Sequence, residues 1–126
     1  MVGRGAMSNS IAELEDAPLI LAVGTNTTET HPVISIRVKR AVAKGSKLIV
    51  ADPRKIELTG FASRWLRLKV GTDIALFNAM AHVIIQEGLY DETFVRERTQ
   101  GLEELRTFLA GYTPEFAQEA TGVPKE

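Results

Sequence analysis

Residues 19–55 read LILAVGTNTTETHPVISIRVKRAVAKGSKLIVADPRK, and the order of apolar and polar blocks along this stretch decides the fold. Leu19-Ile20-Leu21-Ala22-Val23 and Lys47-Leu48-Ile49-Val50-Ala51 are short apolar runs without polar/apolar alternation. Such runs fit parallel strands whose two sheet faces are both covered. Between them, Ile34, Val38 and Ala41 fall at helical spacing over residues 33–44, leaving Arg37, Lys39, Arg40 and Lys44 for the wet side. Pro32 suits the first helical turn, where N–H groups lack partners anyway. Gly45 suits a left-handed cap at the far end, and the cations near it complement the helix dipole. Strand, capped helix and strand make a βαβ unit, whose crossover is expected to be right-handed.

Outward from this unit the pattern weakens. Residues 64–68 alternate in charge and suit an edge strand or a short extended link. Residues 73–87 predict a second helix, with Phe77, Met80, Ala81, Ile84 and Ile85 on a wide apolar face, Asp73 as N-cap and Gly88 as its end. Shorter helices follow over 91–98, Leu102–Leu109 and 114–120, and residues 10–16 suit a helical turn leading into the first strand. The expected fold is a single α/β domain, residues 1–126. It has a Rossmann-like open parallel sheet, flanking helices and a helical C-terminal extension.

Composition narrows the function classes. The 126 residues are 44% hydrophobic and 25% charged, with a formal net charge of -1. Nothing in that balance predicts nucleic acid or an anionic membrane as a partner. The chain has no cysteine, which excludes disulfides, thiolate metal sites and cysteine-ligated iron–sulfur clusters within it. No apolar run is long enough to span a bilayer, and the polar opening Met1-Val2-Gly3-Arg4-Gly5-Ala6 is no signal peptide. The default reading is a cytoplasmic protein, unless an export signal precedes this sequence in its parent gene.

In an open parallel sheet, ligands bind beyond the carboxyl ends of the strands. The first loop there is Gly24, Thr25, Asn26, Thr27, Thr28 and Glu29. Its glycine admits a ligand to the backbone, its side chains offer hydrogen bonds, and the next helix offers an N-terminus to an anion. The spacing is not G-x-G-x-x-G, and a polar loop that caps a helix reads the same way. The second loop is Asp52, Pro53, Arg54 and Lys55. An acidic residue there suits ribose hydroxyls, and the two cations suit a diphosphate, but an exposed turn also favours aspartate and proline. The third is Gly71, Thr72 and Asp73, where a carboxylate can accept the paired N–H donors of guanine or simply cap a helix. His31, His82 and Trp65 carry less. No histidine stands at metal-ligand spacing, no nucleophile–base pair can be read, and Trp65 suits core or interface. The catalytic set and the metal set within this chain are therefore both empty.

The three loops, in this order, resemble the molybdopterin oxidoreductases of the formate dehydrogenase alpha-subunit type. The resemblance begins at Gly5-Ala6-Met7-Ser8-Asn9-Ser10-Ile11 and Glu13-Leu14-Glu15-Asp16-Ala17. It continues through Val23 to Pro32, Leu48 to Arg54, Gly71 to Leu76 and Ala81 to Ile84. It ends in Tyr112-Thr113-Pro114-Glu115 and Thr121-Gly122-Val123-Pro124. It implies two molybdopterin guanine dinucleotides on molybdenum or tungsten, one of them cradled by this domain. On matching positions, Gly24 to Glu29 would approach the diphosphate, Asp52 to Lys55 the ribose and guanosine end, and Gly71 to Asp73 the guanine.

Val70 stands where many relatives carry proline. The family's metal-binding cysteine or selenocysteine, its neighbouring histidine and its iron–sulfur cysteines have no match here. The resemblance thus implies a fragment, inactive alone, whose metal and iron–sulfur cluster belong to the full enzyme. Its implied partners are the remaining domains of the same subunit and electron-transfer subunits, with no nucleic acid and no membrane contact by this segment. A standalone guanine-nucleotide module and a subunit-interaction domain are the alternatives that the same residues leave open.

Overall fold

The two apolar runs become adjacent strands. A computed structural model describes residues 9–126. The opening Met1 to Ala6 and the Gly5-Ala6-Met7-Ser8 part of the resemblance lie outside the described residues. Strand β1 (Leu19–Val23) pairs in parallel with β2 (Lys47–Ala51), Leu19 opposite Lys47 and Val23 opposite Ala51. A third strand, β3 (Arg64–Leu66), pairs in parallel with the other edge of β2, giving the order β1-β2-β3. The chain forms two compact units, one ending at Arg67 and one beginning at Leu68.

In the first unit, α1 (Thr27–Thr30) and α2 (Pro32–Ala43) connect β1 to β2. The core is Ile20, Val38, Ala41, Leu48, Val50, Ile56 and Leu58, with Ile34 and Trp65 packed against it. These are the helix and strand positions that the periodicity selects, joined by Ile56 and Leu58. Leu58 sits in a 3-10 turn, Glu57–Gly60, that replaces a crossover helix between β2 and β3. The helix ends where Gly45 takes a positive φ of 108°.

One expectation fails. Burial along β1 alternates, leaving Leu19 52% and Leu21 39% exposed. Its sequence places apolar side chains on both faces. The core that includes Val38 and Ala41 of α2 covers the face of Ile20, while the face of Leu19 and Leu21 stays open.

An ion cluster fixes the segment before β1. The 3-10 turn Ile11–Asp16 packs on α2, and Glu15 accepts from Arg37 at 2.5 Å and Lys44 at 2.8 Å, with Arg40 at 3.6 Å. The Lys44 and Arg37 hydrogen bonds outweigh desolvation and lower the Glu15 pKa to about 2.

The second unit is helical: α3 (Asp73–Gln86), α4 (Glu92–Arg98), α5 (Leu102–Leu109) and α6 (Pro114–Thr121). Helix α3 packs on α5 and α6, burying Leu76, Ala79, Leu109, Ala117 and Thr121. His82 is structural here, its Nδ1 donating to the Leu109 carbonyl at 2.9 Å. Asp91, read as the start of a helix, is instead the N-cap of α4, accepting from the Phe94 N–H. Among the described residues, no helix is long and apolar enough to cross a membrane.

The depressed Glu15 carboxyl predicts an acid signature. Its contribution is full above the ordinary value of 4.5 and is lost as pH falls toward about 2. Thermal melts should show wild type above Glu15→Gln at neutral pH, with the gap closing across that window. A gap independent of pH contradicts the assignment.

Candidate functional site

The ends of β1 and β2 hold two of the expected loops against each other. The Gly24 N–H continues the ladder by donating to the Ala51 carbonyl at 2.9 Å, so the residues after Val23 and after Ala51 leave the sheet side by side. Gly24 has a φ of 55°, and no heavy atom stands within 4 Å of where a Cβ would project. Only glycine takes that backbone easily, and the space in front of it is open.

Beyond Gly24 and Thr25 the loop is more ordered than a polar loop need be. Asn26 precedes α1, and its carbonyl accepts the Glu29 and Thr30 N–H groups and the Thr30 hydroxyl. His31 Nδ1 and Thr30 Oγ1 lie 2.9 Å apart. Thr28 Oγ1 lies 3.1 Å from Ser35 Oγ in the first turns of α2. Two buried atoms among these satisfied groups have no partner among the described residues: Asn26 Oδ1 and Thr27 Oγ1. Thr27 is only 8% exposed. Buried polar atoms normally find partners, and each orphan costs about 1–3 kcal/mol. The loop thus holds two buried polar groups that find no partner among the described residues.

Asp52 is buried rather than exposed, at 1%. Its Oδ1 accepts the Arg54 backbone N–H at 2.8 Å and Nε at 3.2 Å, and its Oδ2 accepts Nη2 at 3.3 Å. Burial opposes the Asp52 charge, but the Arg54 side chain and backbone N–H outweigh it and hold the carboxyl below its ordinary value. Asp52 in turn raises the Arg54 pKa, with Glu29 of the first loop adding to it. The Arg54 side chain is 65% exposed, so a buried anion aims an outward cation whose remaining N–H groups are open. Pro53 is half-buried and Lys55 exposed. Trp65, which sequence reasoning left to the core, closes the turn from below: its Nε1 donates to the Asp52 carbonyl at 2.8 Å.

The third loop lies in the unit that begins at Leu68. Gly71 has a φ of 80° and open space at its Cβ position. The N-cap of α3 is Thr72, not Asp73, and it makes no side-chain cap bond because its hydroxyl donates to the Lys69 carbonyl at 2.7 Å. Asp73 is the first helical residue, exposed, and its carboxylate has no hydrogen-bond partner among the described residues. Lys69 ties this loop to the end of α6: its N–H donates to the Thr121 carbonyl at 2.9 Å and its Nζ to the Glu119 carbonyl at 3.1 Å. Val70, at the position of the sequence departure, is 85% exposed. Among the described residues, no three of histidine, cysteine, aspartate and glutamate gather where they could hold a metal ion.

Comparison with known proteins places this geometry. Residues 2–121 match the family model described as molybdopterin oxidoreductase. The chain is 50% identical over 124 residues to formate dehydrogenase 1 subunit alpha of Methanococcus maripaludis, covering 98% of this chain and 18% of that protein. It is 49% identical over 122 residues to formate dehydrogenase H of Escherichia coli, covering 97% of this chain and 17% of that protein. Among solved structures it is similar to acetylene hydratase from Pelobacter acetylenicus. There the TM-score is 0.80 at 34% identity, over 91% of this chain and 18% of that one. The chain therefore spans under a fifth of the length of the relatives it matches.

The Asp52–Arg54 pair predicts a titration shift. With Arg54→Ala the carboxyl stays buried but keeps only one backbone donor, so its pKa should rise. Carboxyl-carbon NMR of Asp52 across acid pH checks this. A value equal to wild type would mean that the guanidinium does not hold the charge.

Proposed function

Because the chain belongs to the molybdopterin oxidoreductase family, we propose that it forms the part of a formate dehydrogenase-type catalytic subunit that holds one of two molybdopterin guanine dinucleotides. The observation that carries this reading is the pair of orphaned buried atoms, Asn26 Oδ1 and Thr27 Oγ1, beside an open Gly24 and an outward Arg54. A dinucleotide brings what they lack. Its ribose and pterin groups include donors for Asn26 Oδ1, and its diphosphate oxygens accept from Thr27 and Arg54. The Asp73 carboxylate, which has no hydrogen-bond partner among the described residues, suits the paired N–H donors of guanine.

When bound, the cofactor and its molybdenum or tungsten supply the two-electron chemistry, formate to carbon dioxide in this reading. The chain's own residues bind and orient; none of them moves a proton or attacks a substrate. The relatives support that division. This stretch is shared between proteins named for formate and one named for acetylene, which favours a role in holding the family's cofactor over one in choosing a substrate. The metal ligands, the iron–sulfur cluster and the electron-transfer partners belong, in this reading, to the rest of a longer subunit and its complex.

Thr27→Val tests the carrying observation with two readouts of opposite sign. It removes a buried hydroxyl that has no partner in the free chain, so the melting temperature should rise, for a gain of about 1 kcal/mol. GDP, used as the probe, should bind more weakly in a calorimetric titration. A destabilised variant with unchanged GDP affinity contradicts the reading. Asp73→Ala should cost about 1.5–3 kcal/mol of GDP affinity, the range for a charged hydrogen-bonding partner. Equal affinity would reduce Asp73 to a first-turn residue of α3.

A further inference from the structure

We infer that Ser35 is a positioning residue that commits the Thr28 hydroxyl to donate to a phosphate. This rests on the cofactor reading above and goes beyond it to the polarity of one contact. Ser35 lies on the buried face of α2 and is 1% exposed. Its Oγ is 3.1 Å from Thr28 Oγ1, seven residues earlier, and no second side-chain bond engages it among the described residues. Geometry alone allows either hydroxyl to donate. Burial decides between them.

A hydroxyl carries one proton and two acceptor sites. The Ser35 hydroxyl is sealed from water, and Thr28 Oγ1 is its one side-chain partner among the described residues. If Thr28 donated instead, Ser35 would be left with a buried, unused O–H, the costly arrangement. Ser35 therefore donates and Thr28 accepts. Thr28 is only half-buried, so its own proton is free to turn outward. It sits next to Thr27, whose hydroxyl is nine-tenths buried and unpartnered. Phosphate oxygens accept and never donate. With one of its two acceptor sites filled by Ser35 and its proton unspent, the Thr28 hydroxyl favours an ionised phosphate over a ligand group that needs an acceptor.

The test compares GDP with guanosine, which lacks the phosphates, by NMR-monitored titration of the 126-residue chain. In Ser35→Ala the Thr28 hydroxyl loses its imposed direction. The GDP Kd should rise roughly three- to tenfold, the range for one hydrogen bond, while guanosine binds as to wild type. A purely structural role would weaken both ligands alike. Thr28→Val should show the same phosphate-selective loss, Thr28→Ser should bind as wild type does, and Ser35→Ala with Thr28→Val should lose no more than either alone. If Ser35→Ala does not fold, the Thr28→Val and Thr28→Ser pair decides. Wild-type GDP affinity in Ser35→Ala, or equal losses for GDP and guanosine, overturns the positioning role while leaving the cofactor reading intact. A wild-type chain that binds neither ligand overturns both.

Discussion

The hydrogen bond from the Gly24 N–H to the Ala51 carbonyl is the contact on which the first two loops depend. It is the last rung of a parallel ladder, and it forces two chain segments to leave the sheet at one edge. Parallel pairing makes this unavoidable, because neighbouring strands then share a carboxyl end. The positive φ at Gly24 turns the first segment into α1, and the buried Asp52 turns the second around Arg54. A side chain at position 24 would be strained whatever the space around it, and the edge would lose its open approach.

What distinguishes this edge from a well-capped loop is which polar groups are satisfied. The Thr28 and Thr30 hydroxyls and the Asp52 carboxylate all have partners. Asn26 Oδ1 and Thr27 Oγ1, among them and buried, have none among the described residues. A chain selected only for stability would have valine or alanine at such a position, since an orphan costs about as much as a good contact gains. Under the proposed function, a dinucleotide supplies the polar atoms that these two groups lack.

Strands β1 and β2 are legible to the residue, because continuous apolar runs bounded by turn residues leave few alternatives, and α5 is legible between Gly101 and Gly111. Helix α1 was not, since Thr27, Thr28, Glu29 and Thr30 have no apolar stripe; it is held by backbone bonds to the Asn26 and Thr27 carbonyls. The cover on both faces of β1 was misjudged, because a sequence shows which side chains are apolar but not whether a layer lies over them. The loop positions at Gly24 and Asp52 followed from strand order. The burial of Asp52 did not, nor did the bond that Trp65, thirteen positions away, donates to its carbonyl. Ser35 was invisible to periodicity, which counts apolar residues and passes over a serine on the buried face. The Glu15 cluster was equally hidden, since its partners lie 22 and 29 positions along the chain.

The central claim is that the loops at Gly24 and Asp52 serve one nucleotide. Amide chemical-shift mapping of the labelled chain during a GDP titration tests it most directly. The predicted result is that shifts in residues 24–29 and 52–55 appear together and saturate with a single Kd. Shifts confined to one of these loops, different constants for the two, or no perturbation at either would contradict it.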